Sequence, residues 1–418
     1  MSDAVRDQYE AYPYPWRDPV DERRRLIVGS PSHRLEIDHF LFAGGRESAE
    51  KGGAPLRVLV AGGGTGDGAI MLAQQLADAG KGGSVDYIDL SEASAAIARA
   101  RAEARGLANI RFRRLSLLDL PASGLGPFDY IDCCGVLHHL DDPAAGLAAL
   151  VSVLAPGGGL GLMLYGGLGR TGVYPLQEVL RSLSAGLPLA ERVALARRLL
   201  ADLPSTNWFA RNGELKDHLD GGDAGLVDLL LHSCDRAYRI DEVVALLGAA
   251  GLVIAGFSEP ARYDPLSYVT DPEVRRRLTG LSGVARWSAA ENLAGNLRTH
   301  VFYAVRRGES MGRVASPDDA RLIPVARDLD IAAVARHLGQ GGRMRIPLDG
   351  FTLHVELPVA AGAIVGAIDG RRSIADVQRY LAARQGGYDG FAFHRDWRQA
   401  FDALHGLGKL FLRKPGIG

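Results

Sequence analysis

Cysteine is scarce: Cys133, Cys134 and Cys234 are all the chain contains. Neither a Cys-x-x-Cys pair nor a Cys/His cluster at metal-ligand spacing occurs, which argues against a disulfide framework and a zinc site, so no metal is expected. Long apolar runs are lacking too, with none reaching the roughly 18 residues of a membrane-spanning helix. An excess of charge of one sign is missing as well. The formal net charge of −1 offers no overall attraction to nucleic acid, which calls for a basic face. Met1 to Asp7 is polar and lacks the apolar core of a secretory leader, so a cytoplasmic protein is expected, with neither membrane nor nucleic acid as partner. Internal repeats and low-complexity tracts are absent.

What is present is the composition of an ordinary globular protein, 47% hydrophobic and 23% charged over 418 residues, enough for two or three domains. Residues 1–50 read as an N-terminal cap or lid. Tyr9-Glu10-Ala11-Tyr12-Pro13-Tyr14-Pro15-Trp16-Arg17-Asp18-Pro19 is expected to be irregular throughout, because proline biases its predecessor toward extended geometry. Its aromatic residues need a surface to cover, either a domain edge or a ligand.

From Leu56 the pattern alternates strand and helix. Short apolar runs at Arg57–Ala61, Ser84–Asp89, Ile110–Leu115, Phe128–Cys134 and Leu160–Leu164 suit buried parallel strands. Helical spacing fills the intervals at Ala69–Ala79, Ser91–Arg105 and Ala144–Leu154. Repeated βα units imply a doubly wound α/β sheet. Helices without strands follow over about 171–250. Strand character returns at Leu252–Phe257 and His300–Val305, separated by a second helical insertion at about 262–298, which would complete seven strands within 51–307. Residues 308–325 have linker composition, and 326–418 form a further small domain.

The strongest chemical signal is Val58-Leu59-Val60-Ala61-Gly62-Gly63-Gly64-Thr65-Gly66-Asp67-Gly68. A glycine-rich turn between a buried strand and a helix lets a ligand approach the backbone. Nicotinamide, flavin and adenosylmethionine proteins all use such a turn. Asp89-Leu90 ends the second strand where an acid would bind a ribose diol. Leu118-Asp119 lies just past the third, where an acid could accept from an adenine amine. Gly135-Val136-Leu137-His138-His139-Leu140-Asp141-Asp142-Pro143 follows the fourth, and Ala155-Pro156-Gly157-Gly158-Gly159-Leu160 leads into the fifth.

In this order the motifs closely resemble those of the class I S-adenosylmethionine-dependent methyltransferases, over about 56–170 in detail and more loosely to about 306. The resemblance implies a seven-stranded Rossmann-like sheet and S-adenosylmethionine as cofactor. Gly62, Gly64 and Gly66 would lie under its methionine part, Asp89 and Leu90 at the ribose, Leu118 and Asp119 at the adenine, and Gly135 near the sulfonium. The family usually carries an acid two residues before the first glycine, where this chain has Val60. Asp67 or an N-terminal residue is then expected to hold the cofactor's ammonium.

The N-terminal Tyr-x-x-Tyr-Pro-Tyr-Pro strip, the turn from Gly169 to Tyr174 and the segment Leu231–Tyr238 look like a bacterial methyltransferase group. That group resembles tetratricopeptide-linked and rickettsial-type protein lysine methyltransferases. In such a layout Tyr9 and Tyr14 would lie over the cofactor, and Arg170, Tyr174, Gln177, His232 and Tyr238 near the acceptor. His138, His139 and Tyr14 are the candidate catalytic residues, since histidine titrates nearest neutral pH, although a nucleophilic acceptor needs little beyond positioning. No Asp/Asn-Pro-Pro-aromatic tetrad follows the fourth strand, which argues against a nucleobase amine as acceptor. A protein or peptide side chain is expected, with a small biosynthetic molecule or a non-catalytic cofactor-binding scaffold as alternatives. The Asp369-Gly370 turn and Ser373-capped helix, followed by a second helix running through Trp397 to Leu412, suggest a small winged-helix-like C-terminal domain. Such a module also serves as a dimerisation surface, so a homodimer is allowed.

Overall fold

The computed structural model describes residues 3–46, 55–80, 82–385 and 389–416. Strands β1 (Arg57–Ala61), β2 (Ser84–Asp89), β3 (Ile110–Arg114), β4 (Phe128–Cys134), β5 (Leu154–Tyr165), β6 (Leu252–Phe257) and β7 (Thr299–Arg306) form one seven-stranded sheet in the order β3-β2-β1-β4-β5-β7-β6. The chain divides into two compact units. One holds 1–33, 55–250 and 295–300, the other 34–54, 251–294 and 301–418. The expected 1–50 cap is thus shared between them, and its boundary near residue 50 falls outside the described residues.

In the first unit β1 to β5 are parallel. Val58, Leu59, Val85, Ile88, Phe128 and Ile131 are fully buried, which is why these strands read as continuous apolar runs rather than alternating ones. The sheet reverses direction of winding between β1 and β4, and open α/β sheets bind ligands at that switch point. Helices begin where the sequence supplies caps. Ser91 Oγ accepts from Ser94 N ahead of Glu92–Ala104, and Asp142 accepts from Ala144 N and Ala145 N ahead of Pro143–Ser152, each satisfying end amides that have no partner within the helix. The insertion comprises helices Val173–Leu183, Leu189–Ala201, Trp208–Arg211, Asp217–Asp220 and Gly222–Leu230, packed on a core that includes Leu176, Leu180, Phe209 and Leu226.

The N-terminal strip corrects one expectation. Helix Asp3–Ala11 takes in Tyr9, Glu10 and Ala11, because Pro13 restricts only Tyr12 before it.

In the second unit β6 and β7 pair antiparallel. Here β8 (Ile323–Ala326) pairs antiparallel with β11 (Leu410–Arg413), and β9 (Arg343–Leu348) with β10 (Phe351–Glu356). Ile364, Phe393, Trp397 and Phe401 form the core with Leu322 and Ala315. Two expectations are corrected. The stretch read as a linker contributes both core residues and the start of β8. The last helix, Gly390–Gly406, stops at Gly406, and Leu410–Arg413 is a strand, since Gly408 in the left-handed conformation (φ 65°) ends the helix. Among the described residues no helix is long and apolar enough to cross a membrane.

Candidate functional site

The carboxyl end of β1 runs into Gly62, Gly64 and Gly66, all with positive φ (70°, 51° and 101°), a region other residues rarely adopt. Their smallness matters as well. A Cβ on Gly62 would lie 2.5 Å from Val136 Cγ2, and one on Gly63 would lie 2.3 Å from the Tyr87 ring. The loop borders a cavity of about 320 Å³, within the ordinary range of small-molecule sites.

Asp89, at the end of β2, accepts from Gly64 N and Ser91 N, both at 2.8 Å. Burial pushes its carboxyl above the usual carboxylate range, and these backbone donors oppose the shift. Asp67 behaves differently. Arg17 chelates it at 2.7–3.2 Å, and the buried Arg101 adds a bond at 2.7 Å. Burial raises its pKa, but the two guanidiniums outweigh that and hold it below its ordinary value. On β4, Asp132 is 3% exposed. One of its oxygens accepts from Ser32 Oγ, and burial pushes its carboxyl up to about 6.

The N-terminal strip covers the loop. Thr65 Oγ1 donates to Pro15 O at 2.6 Å, and Tyr14 donates to Asp217 at 3.1 Å. At the far end of the cavity Tyr9 and Tyr165 donate to the two oxygens of Asp228 at 2.8 and 3.0 Å. Burial raises the pKa of both phenols, which keeps them protonated donors. Asp228 is raised by burial, opposed by His139 and the tyrosine hydrogen bonds.

His232 Nδ1 accepts from Cys234 N, and burial holds this ring neutral. Its Nε2 therefore carries the proton, facing Tyr9 Oη at 3.2 Å. His139 Nδ1 lies 2.9 Å from Cys234 O, an acceptor only, so Nδ1 carries a proton. His139, Asp228 and His232 bring ligand-type atoms within 4.8 Å of one another. With His232 Nε2 protonated, only two of the three residues can ligate, fewer than a zinc ion takes.

Among the expected site residues, Gly62, Gly64, Gly66, Asp67, Asp89, Leu90, Gly135, Tyr9, Tyr14 and His139 all line the cavity. Leu118 and Asp119 do not. Both are exposed on a 3-10 turn capped by Ser116, while Leu115, Ser116 and Leu117 line the cavity in their place. His138 is also outside the lining, fully buried and stacked on Tyr165 at 3.8 Å.

Arg170 and Gln177 are buried and both bind Asp235, at 2.9 and 3.0 Å, with the Arg170 guanidinium 3.7 Å over the Tyr165 ring. Neither these two nor Tyr174, His232 and Tyr238 line the cavity. Asp132, Tyr165 and Asp228 line the cavity without having been singled out from sequence. The one legible signal was a carboxylate, Asp132, inside an apolar strand.

A methyltransferase-domain family model matches residues 59–160. The structure of PKMT2 from Rickettsia typhi in complex with S-adenosylhomocysteine superposes with a TM-score of 0.62, covering 97% of this chain and 76% of that one at 17% identity. At that identity the likeness speaks for the fold alone. Sheet order, glycine loop and matched domain define a class I S-adenosylmethionine-dependent methyltransferase. The ubiquinone biosynthesis O-methyltransferase of Acinetobacter baylyi is 32% identical over 151 residues, 36% of this chain and 57% of that protein. The uncharacterized protein syc1184_c of Synechococcus is 32% identical over 315 residues, 73% of this chain and 72% of that one, and the chain belongs to its family.

Proposed function

We propose that the enzyme methylates an amine on a protein or peptide side chain. The observation that carries this reading is the wall formed by Asp228, Tyr9, Tyr165 and His139. It offers a carboxylate, aromatic faces and an imidazole, the set that recognises a cationic amine.

The cradle fits the cofactor, since Gly62, Gly64 and Gly66, all at positive φ, present bare backbone to a cavity of about 320 Å³. In this reading Gly62, Gly64 and Gly66 lie beneath the methionine part, Asp89 holds the ribose hydroxyls, and Leu90 with Leu115–Leu117 packs on the adenine. Tyr9 and Tyr14 exclude water from above. The N-terminal strip that carries them then acts as lid, and 326–418 as an accessory module.

When bound, the cofactor supplies a sulfonium methyl group open to in-line displacement. Asp228 would orient the acceptor ammonium, and His139, when its Nε2 is unprotonated, would take the proton there, leaving the amine's lone pair aligned toward the methyl group that the cofactor would supply. The carbonyl of Cys234 then supports the imidazolium through Nδ1–H.

The test is labelled-methyl transfer to cell protein and to lysine-containing peptides. Asp228→Asn and His139→Asn should each lower kcat about a hundredfold or more, with S-adenosylhomocysteine affinity within about threefold of the parent. Label confined to small molecules, or full turnover in either variant, would overturn the reading.

A further inference from the structure

S-adenosylmethionine brings an α-ammonium group into a buried cavity, and a buried cation needs an acceptor or a counter-charge. The carboxylates lining the cavity are Asp67, Asp89, Asp132 and Asp228. Asp67 is neutralised by Arg17 and Arg101. Asp89 has a backbone donor on each oxygen. Asp228 has a tyrosine on each oxygen. Asp132 is the one of the four with an oxygen that has no partner at all, its buried Oδ1; Asp89 and Asp228 can each accept further, but in the reading above they face the ribose and the acceptor.

Its position is as specific as its vacancy. Asp132 pairs in register with Val60 across the parallel β1–β4 ladder, and residues so paired project from the same face of the sheet. Both line the cavity. The Asp132 carboxylate also abuts the glycine loop closely enough that a Cβ on Gly68 would lie 2.6 Å from Oδ2. An acid missing from β1 at Val60 is therefore replaced, one strand over and on the same face, by an acid on β4.

We propose that Asp132 binds the α-ammonium of the cofactor's methionine part, with Ser32 holding the other carboxylate oxygen in place. The ammonium donates to Oδ1, filling its missing hydrogen bond.

The test is calorimetric titration of the full chain and of Asp132→Asn with two ligands, S-adenosylhomocysteine and its analogue lacking the α-amino group. A hydrogen bond between charged groups corresponds to about a tenfold to hundredfold preference. The parent protein should prefer the amino-bearing ligand by that factor. In Asp132→Asn the preference should fall to within about threefold, with the analogue bound as tightly as by the parent. Equal weakening toward both ligands would assign Asp132 a purely structural role and overturn the proposal. An undiminished preference in the variant would overturn it as well.

Discussion

Replacing Asp132 by Asn keeps the shape of the side chain, and an oxygen for the Ser32 hydroxyl to donate to, while removing a charge that the fold holds out of water. In the native protein burial moves this carboxyl from 3.8 up to about 6. For an acid with a raised folded-state pKa, ionisation works against the fold. The penalty is absent below the unfolded value near 3.8, grows as pH rises, and is complete above about 6. At about 1.4 kcal/mol per pH unit the penalty comes to about 3 kcal/mol. The thiols of the buried Cys133 and the half-buried Cys134, pushed up by desolvation and then by the Asp132 charge, stay protonated throughout and add nothing to the profile. Asp132→Asn should therefore raise the melting temperature of the ligand-free protein by about 3–6 °C at pH 8, and by little near pH 4. Thermal unfolding followed by circular dichroism at both pH values reads this directly. A variant less stable than its parent at pH 8, or an equal gain at both pH values, would refute the reasoning. Higher stability with poorer cofactor binding is the pattern expected of a carboxylate kept for function.

Two further substitutions probe the surrounding structure. Gly63→Ala would drive a methyl into the ring of Tyr87, which is fully buried and donates to Gly64 O at 2.6 Å; a loss of about 1–3 kcal/mol is expected, read as a lower melting temperature together with weaker binding of S-adenosylhomocysteine. Arg170→Met strands Asp235, whose side chain is fully buried, and should lower stability in urea by about 3–5 kcal/mol. Adding Asp235→Leu should recover most of that loss, because an apolar pair can replace a buried ion pair.

The sheet was largely legible in the sequence. The strands at Ser84–Asp89, Phe128–Cys134 and Leu252–Phe257 fall where the apolar runs placed them, because a buried strand must be apolar along its own length. Ser91 and the glycines of the β1 turn were legible for the same reason, since helix caps and left-handed turns are local demands on a few neighbouring residues. Helix Gly222–Leu230, which carries Asp228, was not singled out. Its apolar spacing is interrupted by Gly222 and Gly225, and Asp228 acquires its role only through tyrosines 219 and 63 positions away.

The sequence by itself therefore determined the class of fold, the glycine-rich turn after β1 and the acid at the end of β2, all encoded by periodicity and short-range turn chemistry. Tertiary structure alone decided which charges are free. Asp67 looked available until Arg17 and Arg101 closed on it, Arg170 and Gln177 looked directed at a substrate until both turned to Asp235, and Asp132 became the partner of Val60 through the register of two strands some 70 residues apart. Hydrogen bonds and ion pairs act through space at about 3 Å, and only folding sets which distant residues come that close.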